Sequence, residues 1–332
     1  MENSLKLAWL HDFLVPFEDK YVETCEQRPK GGAPKTFSHS GFLVFFISMF
    51  LQRVFAFKSM AKYAKLHFAA YRFQRPPCRK TIRTRFKQMP RFVVFLMPCI
   101  AKHCAKHLCH RVFKLSYLFA DKSIFRAKGG VWHKKHMEEG VVPHPSIDTD
   151  ASWATSPYHK WRFGYGLLIF VNESRFPVAC FADTAKFNEP TAAAKLLEPL
   201  KGILGILVGD AAYTVWAVVK KLWYDFDVLL LTKWNKLIAT SEFQQNYKAL
   251  VCTAQAYLLY GRRKPSVEPF FSLVKELFCL KGESQLPYKG MDYVCSFLLV
   301  AAICVQLLMV FNFSHKFRLC SCGQFLELFR AI

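Results

Sequence analysis

The sequence predicts a mixed α/β fold in which helices flank a β-sheet, preceded by a basic helical region. Two observations support this prediction. Between residues 114 and 232, short apolar segments of strand composition alternate with segments of helical periodicity. The chain has 332 residues, of which 52% are hydrophobic, so it can bury a large core and cannot be wholly disordered.

The charge of the chain is strongly basic and unevenly distributed. The 46 Lys and Arg residues outnumber the 24 Asp and Glu residues, which gives a formal net charge of +22. Residues 27–137 contain 24 Lys and Arg residues and a single acid, Asp121. Because each neutralised phosphate releases counterions, such a surface is typical of proteins that bind polyanions. We expect residues 1–113 to form a basic helical DNA-binding region of the helix-turn-helix kind.

Within this region, residues 79–87 predict an amphipathic helix. Ile82 and Phe86 lie four residues apart and share an apolar face. An ordinary basic surface helix has the same pattern, so a DNA-reading helix and a solvated one both remain open. Residues 41–65 predict two more helices, and Arg91–Phe113 predicts another. The candidate DNA contacts on the polar face are Arg79, Lys80, Arg83, Thr84 and Lys87.

Residues 114–295 contain the alternating strands and helices, and two of the predicted strands lead into an aspartate. A carboxylate at the end of a buried strand is stable when it is paired or binds a cation. The predicted elements are a strand at Lys114–Ala120 that ends on Asp121, a hairpin of Trp161–Val171 with Phe176–Phe181, a helix at Pro190–Leu200, a strand at Gly202–Val208 followed by Asp210, and a strand at Val228–Thr232.

A third candidate carboxylate lies in the segment Tyr260–Lys275. Pro265 and Ser266 predict a helix start there, with Ser266 as the N-cap. Glu268 and Lys275 are two turns apart and therefore share a face. Three carboxylates from separate elements of a basic protein suit a pair of Mg²⁺ ions acting on a phosphodiester.

Three segments resemble the DDE transposases of bacterial insertion sequences, whose catalytic domain is RNase H-like. The first two are Phe119-Ala-Asp121-Lys-Ser123 and Val208-Gly-Asp210-Ala-Ala-Tyr213. The third resembles the signature Tyr-x2-Arg-x3-Glu-x6-Lys of that family. In this segment the Arg-to-Glu gap is one residue longer than in the signature, and Lys264 stands where Arg is expected. The residues that match in type are Tyr260, Arg263, Glu268 and Lys275.

The resemblance implies a transposase that cleaves DNA at transposon ends and transfers the 3′-hydroxyl into target DNA. It implies Asp121, Asp210 and Glu268 as catalytic ligands of Mg²⁺, with Mn²⁺ as a substitute. Tyr260, Arg263 and Lys275 would orient phosphates, and Arg162 would contact DNA. The implied partners are double-stranded DNA and a second copy of the chain in a synaptic homodimer, with no nucleotide cofactor and no membrane.

Several alternatives remain open from the residues. Asp148 or Asp150 is a rival first carboxylate, although the prolines before them make a poor central strand. The Cys and His residues between positions 99 and 110 are a candidate metal cluster. Residues 296–332 are expected to form a hydrophobic helix at Phe297–Phe313 and a short tail, both packed on the core. In a rival interpretation, the run Phe297–Phe313 crosses a membrane.

Two further expectations concern compartment and activity. Twelve cysteines without the spacing of a disulfide scaffold, and no secretory signal among residues 1–24, predict a reducing, cytoplasmic environment. The resemblance implies a bacterial cell and a position at the nucleoid. A catalytically inactive or domesticated transposase derivative that only binds DNA is the alternative function.

Overall fold

A computed structural model describes residues 2–26, 37–156, 160–233, 238–282 and 284–330. In these residues the helices are α1 (Glu2–Cys25), α2 (His39–Leu51), α3 (Phe57–His67), α4 (Arg79–His107), α5 (Lys134–Glu138), α6 (Glu189–Leu197), α7 (Trp216–Phe226), α8 (Glu242–Val251), α9 (Ala254–Gly261), α10 (Arg263–Leu277), α11 (Met291–Ser314) and α12 (Gly323–Arg330). The strands are β1 (Tyr117–Arg126), β2 (Ser152–Ser156), β3 (Lys160–Val171), β4 (Pro177–Thr184), β5 (Ile206–Val208) and β6 (Leu229–Leu231).

The strands form one mixed sheet around β1. On one side β1 pairs antiparallel with β3, and on the other it pairs in parallel with β5, which pairs in parallel with β6. Both β4 and β2 pair antiparallel with β3, along successive parts of its length. Among the described strands only β3 therefore runs in the opposite direction. The order β4–β3–β1–β5–β6 is RNase H-like, which confirms the predicted fold class.

The predicted elements of the sheet region are present, with three corrections. The strand expected to end on Asp121 continues to Arg126, because residues 121–126 pair with residues 169–164 of β3. Strands β5 and β6 are only three residues long. Ser266 is not an N-cap: it lies buried inside α10, with its backbone N–H already donating to the carbonyl of Arg262.

The N-terminal helices share their core with the sheet. Helices α2 and α3 match the two predicted in residues 41–65. Helix α4 is one continuous helix rather than the two segments expected from the sequence, although it contains Pro90 and Pro98. It packs against α2, α11 and β4. The basic region and the sheet thus belong to a single hydrophobic cluster of buried residues.

Helix α11 is the central helix of this core. By length and composition it is the one helix in the described residues that could cross a membrane, yet the whole of its most apolar stretch is buried against other parts of the chain. It contacts α2, α4, α10 and β4. Its buried Gln306 donates from Nε2 to the carbonyls of Met97 and Pro177, at 2.9 and 2.8 Å. These bonds connect α4, α11 and the start of β4.

The close approach of β3 to β1 requires Gly164. A Cβ atom at this position would lie 1.9 Å from the carbonyl oxygen of Phe125, which is a backbone atom and cannot move alone. We expect Gly164→Ala to lower the free energy of unfolding by about 3 kcal/mol or more, as for overpacked cores. Urea unfolding measures this change. Gly261→Ala is the control, because a Cβ there meets nothing within 4 Å; equal stability of the two variants would contradict the prediction.

Candidate active site

Asp121 lies in the middle of β1, opposite Ile169 of β3. Its side chain is 26% exposed and forms an ion pair with Arg263 of α10, with 3.2 Å between Nη1 and Oδ1. Burial raises the pKa of the Asp121 carboxyl, and the negative charge of Asp210 raises it further, whereas Arg263 lowers it. The raised pKa means that the guanidinium does not fully compensate for burial of this carboxylate.

Asp210 reaches the same region because β5 runs parallel to β1. Phe119 of β1 pairs with Val208, the last residue of β5, so Asp121 and Asp210, each two residues further along, lie near each other. The Asp210 side chain accepts a 2.8 Å hydrogen bond from the backbone N–H of Ala212 and begins a short 3-10 turn. This bond fixes the carboxylate at the edge of the sheet.

Tyr213 closes the turn that Asp210 begins. Its ring lies against the backbone of Gly209, where a Cβ atom would be 2.6 Å from the ring. The side chain is fully buried, and its hydroxyl has no hydrogen-bond partner in the part of the chain that the structure describes. Burial raises the pKa of Tyr213 well above its ordinary value, and the charges of Glu189, Asp210 and Asp121 act in the same direction. The hydroxyl therefore lies among the acidic side chains.

Glu189, which the sequence analysis missed, is the third acid of this cluster. It is the first residue of α6, and its Oε1 lies 3.3 Å from Nζ of Lys122 on β1. Its other oxygen, Oε2, is buried, and no described residue forms a hydrogen bond with it. Burial raises the pKa of Glu189 to about 7 in spite of Lys122, and Asp210 and Asp121 contribute to the rise. Acids are common in the first turn of helices, so nothing in the sequence distinguished this one.

These side chains together form what we call the acidic centre: Asp121, Glu189, Asp210 and Tyr213, with the cations Lys122 and Arg263. Its carboxylate oxygens are the ligand type that Mg²⁺ prefers, and Oε2 of Glu189 has no hydrogen-bond partner among the described residues. In chemical type the donor set therefore fits a divalent cation. No three His, Cys, Asp or Glu side chains in the described residues are grouped to hold a single metal ion.

Glu268 lies elsewhere on α10. It is five residues after Arg263, which places it about 140° further around the helix. The side chain is exposed and lines a cavity of about 450 Å³ together with Arg175, Glu276 and Cys320. Neither Asp121 nor Asp210 lines this cavity. The structure thus brings Asp121 and Asp210 near each other, and Glu268 lines a cavity that neither of them lines.

The other residues of the third segment are dispersed along α9 and α10. Tyr260 lines a small cavity of about 140 Å³ beside Thr232 and Cys252. Lys275 is half-buried with its Nζ 5.8 Å from the ring centroid of Phe125, near the end of β1. Burial lowers the pKa of Lys275, and the positive charge of Arg162 lowers it further. Arg162 and Lys275 are therefore close neighbours.

Asp148 and Asp150, the rival first carboxylates, bind the start of α11. Asp148 is buried, and its Oδ2 accepts hydrogen bonds of 3.0 Å from both the hydroxyl of Tyr165 and the backbone N–H of Gly290. Oδ2 of Asp150 accepts one of 2.8 Å from the N–H of Met291. These contacts give both side chains a structural explanation as acceptors at a helix N-terminus.

The basic helix has the two faces that its sequence predicts. Ile82 and Phe86 are buried. Two of the candidate DNA contacts also bind the first turn of α11: Arg83 donates to the hydroxyl of Tyr293, and Nζ of Lys87 lies 2.8 Å from a carboxylate oxygen of Asp292. The five polar-face residues are all exposed, namely Arg79, Lys80, Arg83, Thr84 and Lys87.

Comparison with solved structures finds a similarity to a transposase complex. No protein-family model matches the sequence, and no curated protein matches it. A cryo-EM structure of piggyBac transposase in a synaptic complex with hairpin DNA matches with a TM-score of 0.44 and 11% sequence identity, over 99% of this chain and 79% of that one. A TM-score this low describes a similarity and supports no conclusion about function.

The raised pKa of Glu189 predicts a pH-dependent stability. An acid with a pKa of 4.5 when unfolded and about 7 when folded binds a proton preferentially in the folded state between these values, so stability falls as the pH rises through this interval. Glu189→Gln does not titrate. In the presence of a chelator, we expect the free energy of unfolding of this variant, relative to that of the wild type, to increase by ~3 kcal/mol between about pH 5 and pH 8.

Urea unfolding at several pH values tests this expectation. Lys122 keeps the carbonyls of Ala185 and Phe187 as acceptors in the variant, at 3.4 and 3.3 Å. The exposed Glu198, at the end of the same helix, provides the control variant Glu198→Gln. If the difference in free energy of unfolding between Glu189→Gln and the wild type stays constant with pH, the Glu189 carboxylate is already ionised and its charge is compensated by the cation beside it.

Proposed function

We propose that this chain is a DNA-cleaving and strand-transferring enzyme of the DDE transposase type. The observation that carries the proposal is the placement of Asp121 in β1 beside Asp210, which lies two residues after the end of the adjacent strand β5 in an RNase H-like sheet. The net charge of +22 supports DNA as the substrate. The reaction would be hydrolysis of a phosphodiester at a transposon end, followed by attack of the freed 3′-hydroxyl on target DNA.

Asp121 and Asp210 would hold Mg²⁺, or Mn²⁺ as a substitute, and Glu268 stays the third ligand expected from the sequence. When bound, such ions activate the attacking oxygen and stabilise the charge at the phosphate. The protein side chains would orient the DNA. Arg162 and Lys275 are two neighbouring cations near the end of β1, which suits a backbone phosphate. Tyr260 and Arg263 would support the same segment, with Arg263 holding Asp121 in place.

The exposed face of α4 would contact double-stranded DNA, and two copies of the chain would pair the two ends. We place this enzyme in the bacterial cytoplasm at the nucleoid. A second candidate function is a DNA-binding protein without catalysis. It is favoured by the ion pairs of Arg263 with Asp121 and of Lys122 with Glu189, since these cations already occupy oxygens that a metal would need.

Cleavage of supercoiled and linear DNA that carries the flanks of the gene tests the proposal. With Mg²⁺ or Mn²⁺, we expect the wild type to cut and both Asp121→Asn and Asp210→Asn to lose at least ~100-fold in rate, because each removes a charge from the reacting centre. Asp148→Asn should retain cutting, since the Asp148 carboxylate accepts hydrogen bonds from the hydroxyl of Tyr165 and from the backbone N–H groups of Gly290 and Asp150. Tight DNA binding without cutting by the wild type would favour the non-catalytic function.

Charge reversal on α4 tests the DNA-binding surface separately. We expect the double variant Arg79→Glu, Lys80→Glu to bind duplex DNA at least about tenfold more weakly and to reduce the salt slope by ~0.9 for each lost phosphate contact. Fluorescence anisotropy over a range of salt concentrations measures both. The matched control reverses the exposed Lys220 and Lys221 of α7. If both double variants lose the same DNA affinity, binding depends on the overall charge of the protein and not on the exposed face of α4.

A further inference from the structure

We infer that Glu189 is a cation ligand of the acidic centre and binds a divalent ion together with Asp210. The inference rests on the proposed function, because it names a further residue of the same site. Glu189 comes from α6, an element that contributes nothing to the three segments on which the family resemblance depends.

The first argument is that one oxygen of the buried Glu189 carboxylate has no hydrogen-bond donor among the described residues. The side chain of Glu189 is 12% exposed, and Lys122 satisfies only its Oε1, at 3.3 Å. Its Oε2 is buried with no hydrogen-bond partner in the described structure. A buried carboxylate oxygen without a donor is costly, and native proteins normally supply a partner, a water molecule or an ion. Oε2 of Glu189 is therefore available to a further cation.

The second, independent argument comes from Tyr213. Its side chain is fully buried, and its hydroxyl also has no hydrogen-bond partner. Of the charged groups that act on this hydroxyl, Glu189 has the largest effect, followed by Asp210 and Asp121. Two unpartnered oxygens thus lie in one buried, negatively charged region. A hydrated divalent cation supplies both a positive charge and water molecules that hydrogen-bond to such oxygens.

The third argument is the distribution of the carboxylates. No three of them surround a single point in the described residues, so one ion held by all three is not the arrangement. The charges of Asp210 and Asp121 both raise the pKa of Glu189, and the charge of Asp210 also raises that of Asp121. A pair of ions spans a wider set of ligands than one ion does. The ion held by Glu189 and Asp210 would then be one of such a pair.

Manganese binding to the full-length, DNA-free protein tests the inference. Electron paramagnetic resonance counts the free Mn²⁺, and a titration gives the number of bound ions and their affinity. We expect the wild type to bind Mn²⁺ and Glu189→Gln to bind it on the order of tenfold to a hundredfold more weakly, or to lose one ion. Glu198→Gln, an exposed change at the end of the same helix, should bind Mn²⁺ as the wild type does.

Two outcomes would overturn the inference. Either the wild type takes up no Mn²⁺, or Glu189→Gln binds it as tightly as the wild type while Asp210→Asn does not. In the second case Glu189 is only the partner of Lys122. A thermal melt of Glu189→Gln establishes that the variant is folded before its binding is compared.

The DNA cleavage assay separates this inference from the proposed function. If the wild type binds Mn²⁺ through Glu189 but cuts no DNA, the cation site stands and the enzymatic proposal fails. If the wild type cuts DNA and Glu189→Gln cuts it equally well with unchanged Mn²⁺ binding, the enzymatic proposal stands and the role of Glu189 fails. Glu268→Gln, measured in parallel, reports whether the exposed glutamate of α10 is the ligand instead.

Discussion

The parallel pairing of β1 with β5 is the constraint on which the rest of the molecule depends. Only three residue pairs form it, from Tyr117↔Ile206 to Phe119↔Val208, yet it brings two aspartates from distant parts of the chain to one edge of the sheet. Parallel strands require a long connection, and here that connection contains β3, β4 and α6. The same connection places Glu189 in the first turn of α6, so the pairing of β1 with β5 brings all three carboxylates into one region.

A group of carboxylates in a low-dielectric site is unstable without compensation. The chain supplies two cations from opposite sides, Lys122 from β1 and Arg263 from α10. Even so, the pKa values of Asp121 and Glu189 remain raised. This partial compensation distinguishes the acidic centre from Asp148 and Asp150, which find backbone donors at the start of α11 and are explained by the fold alone.

The sequence was sufficient for the fold class and for the order of strands and helices, because strand composition and helical periodicity are local properties. It also proposed Asp121 and Asp210, since each follows an apolar run that can be recognised in the sequence. Two features depend on tertiary contacts. Glu268 is exposed beside a cavity that it shares with Arg175, a residue far away in the sequence. Glu189 gains its significance only from neighbours that are distant in sequence.

The position of α11 in the chain has a consequence for synthesis. This helix lies between α4 and β4 and is contacted by α2 and α10, so residues from the first hundred positions pack on residues 291–314. A ribosome delivers those early residues long before their packing partner. The apolar surfaces of α2 and α4 therefore stay exposed to solvent until α11 has been synthesised. We expect the nascent chain to depend on chaperones during that interval. A fragment that stops before residue 291 would keep this surface exposed permanently.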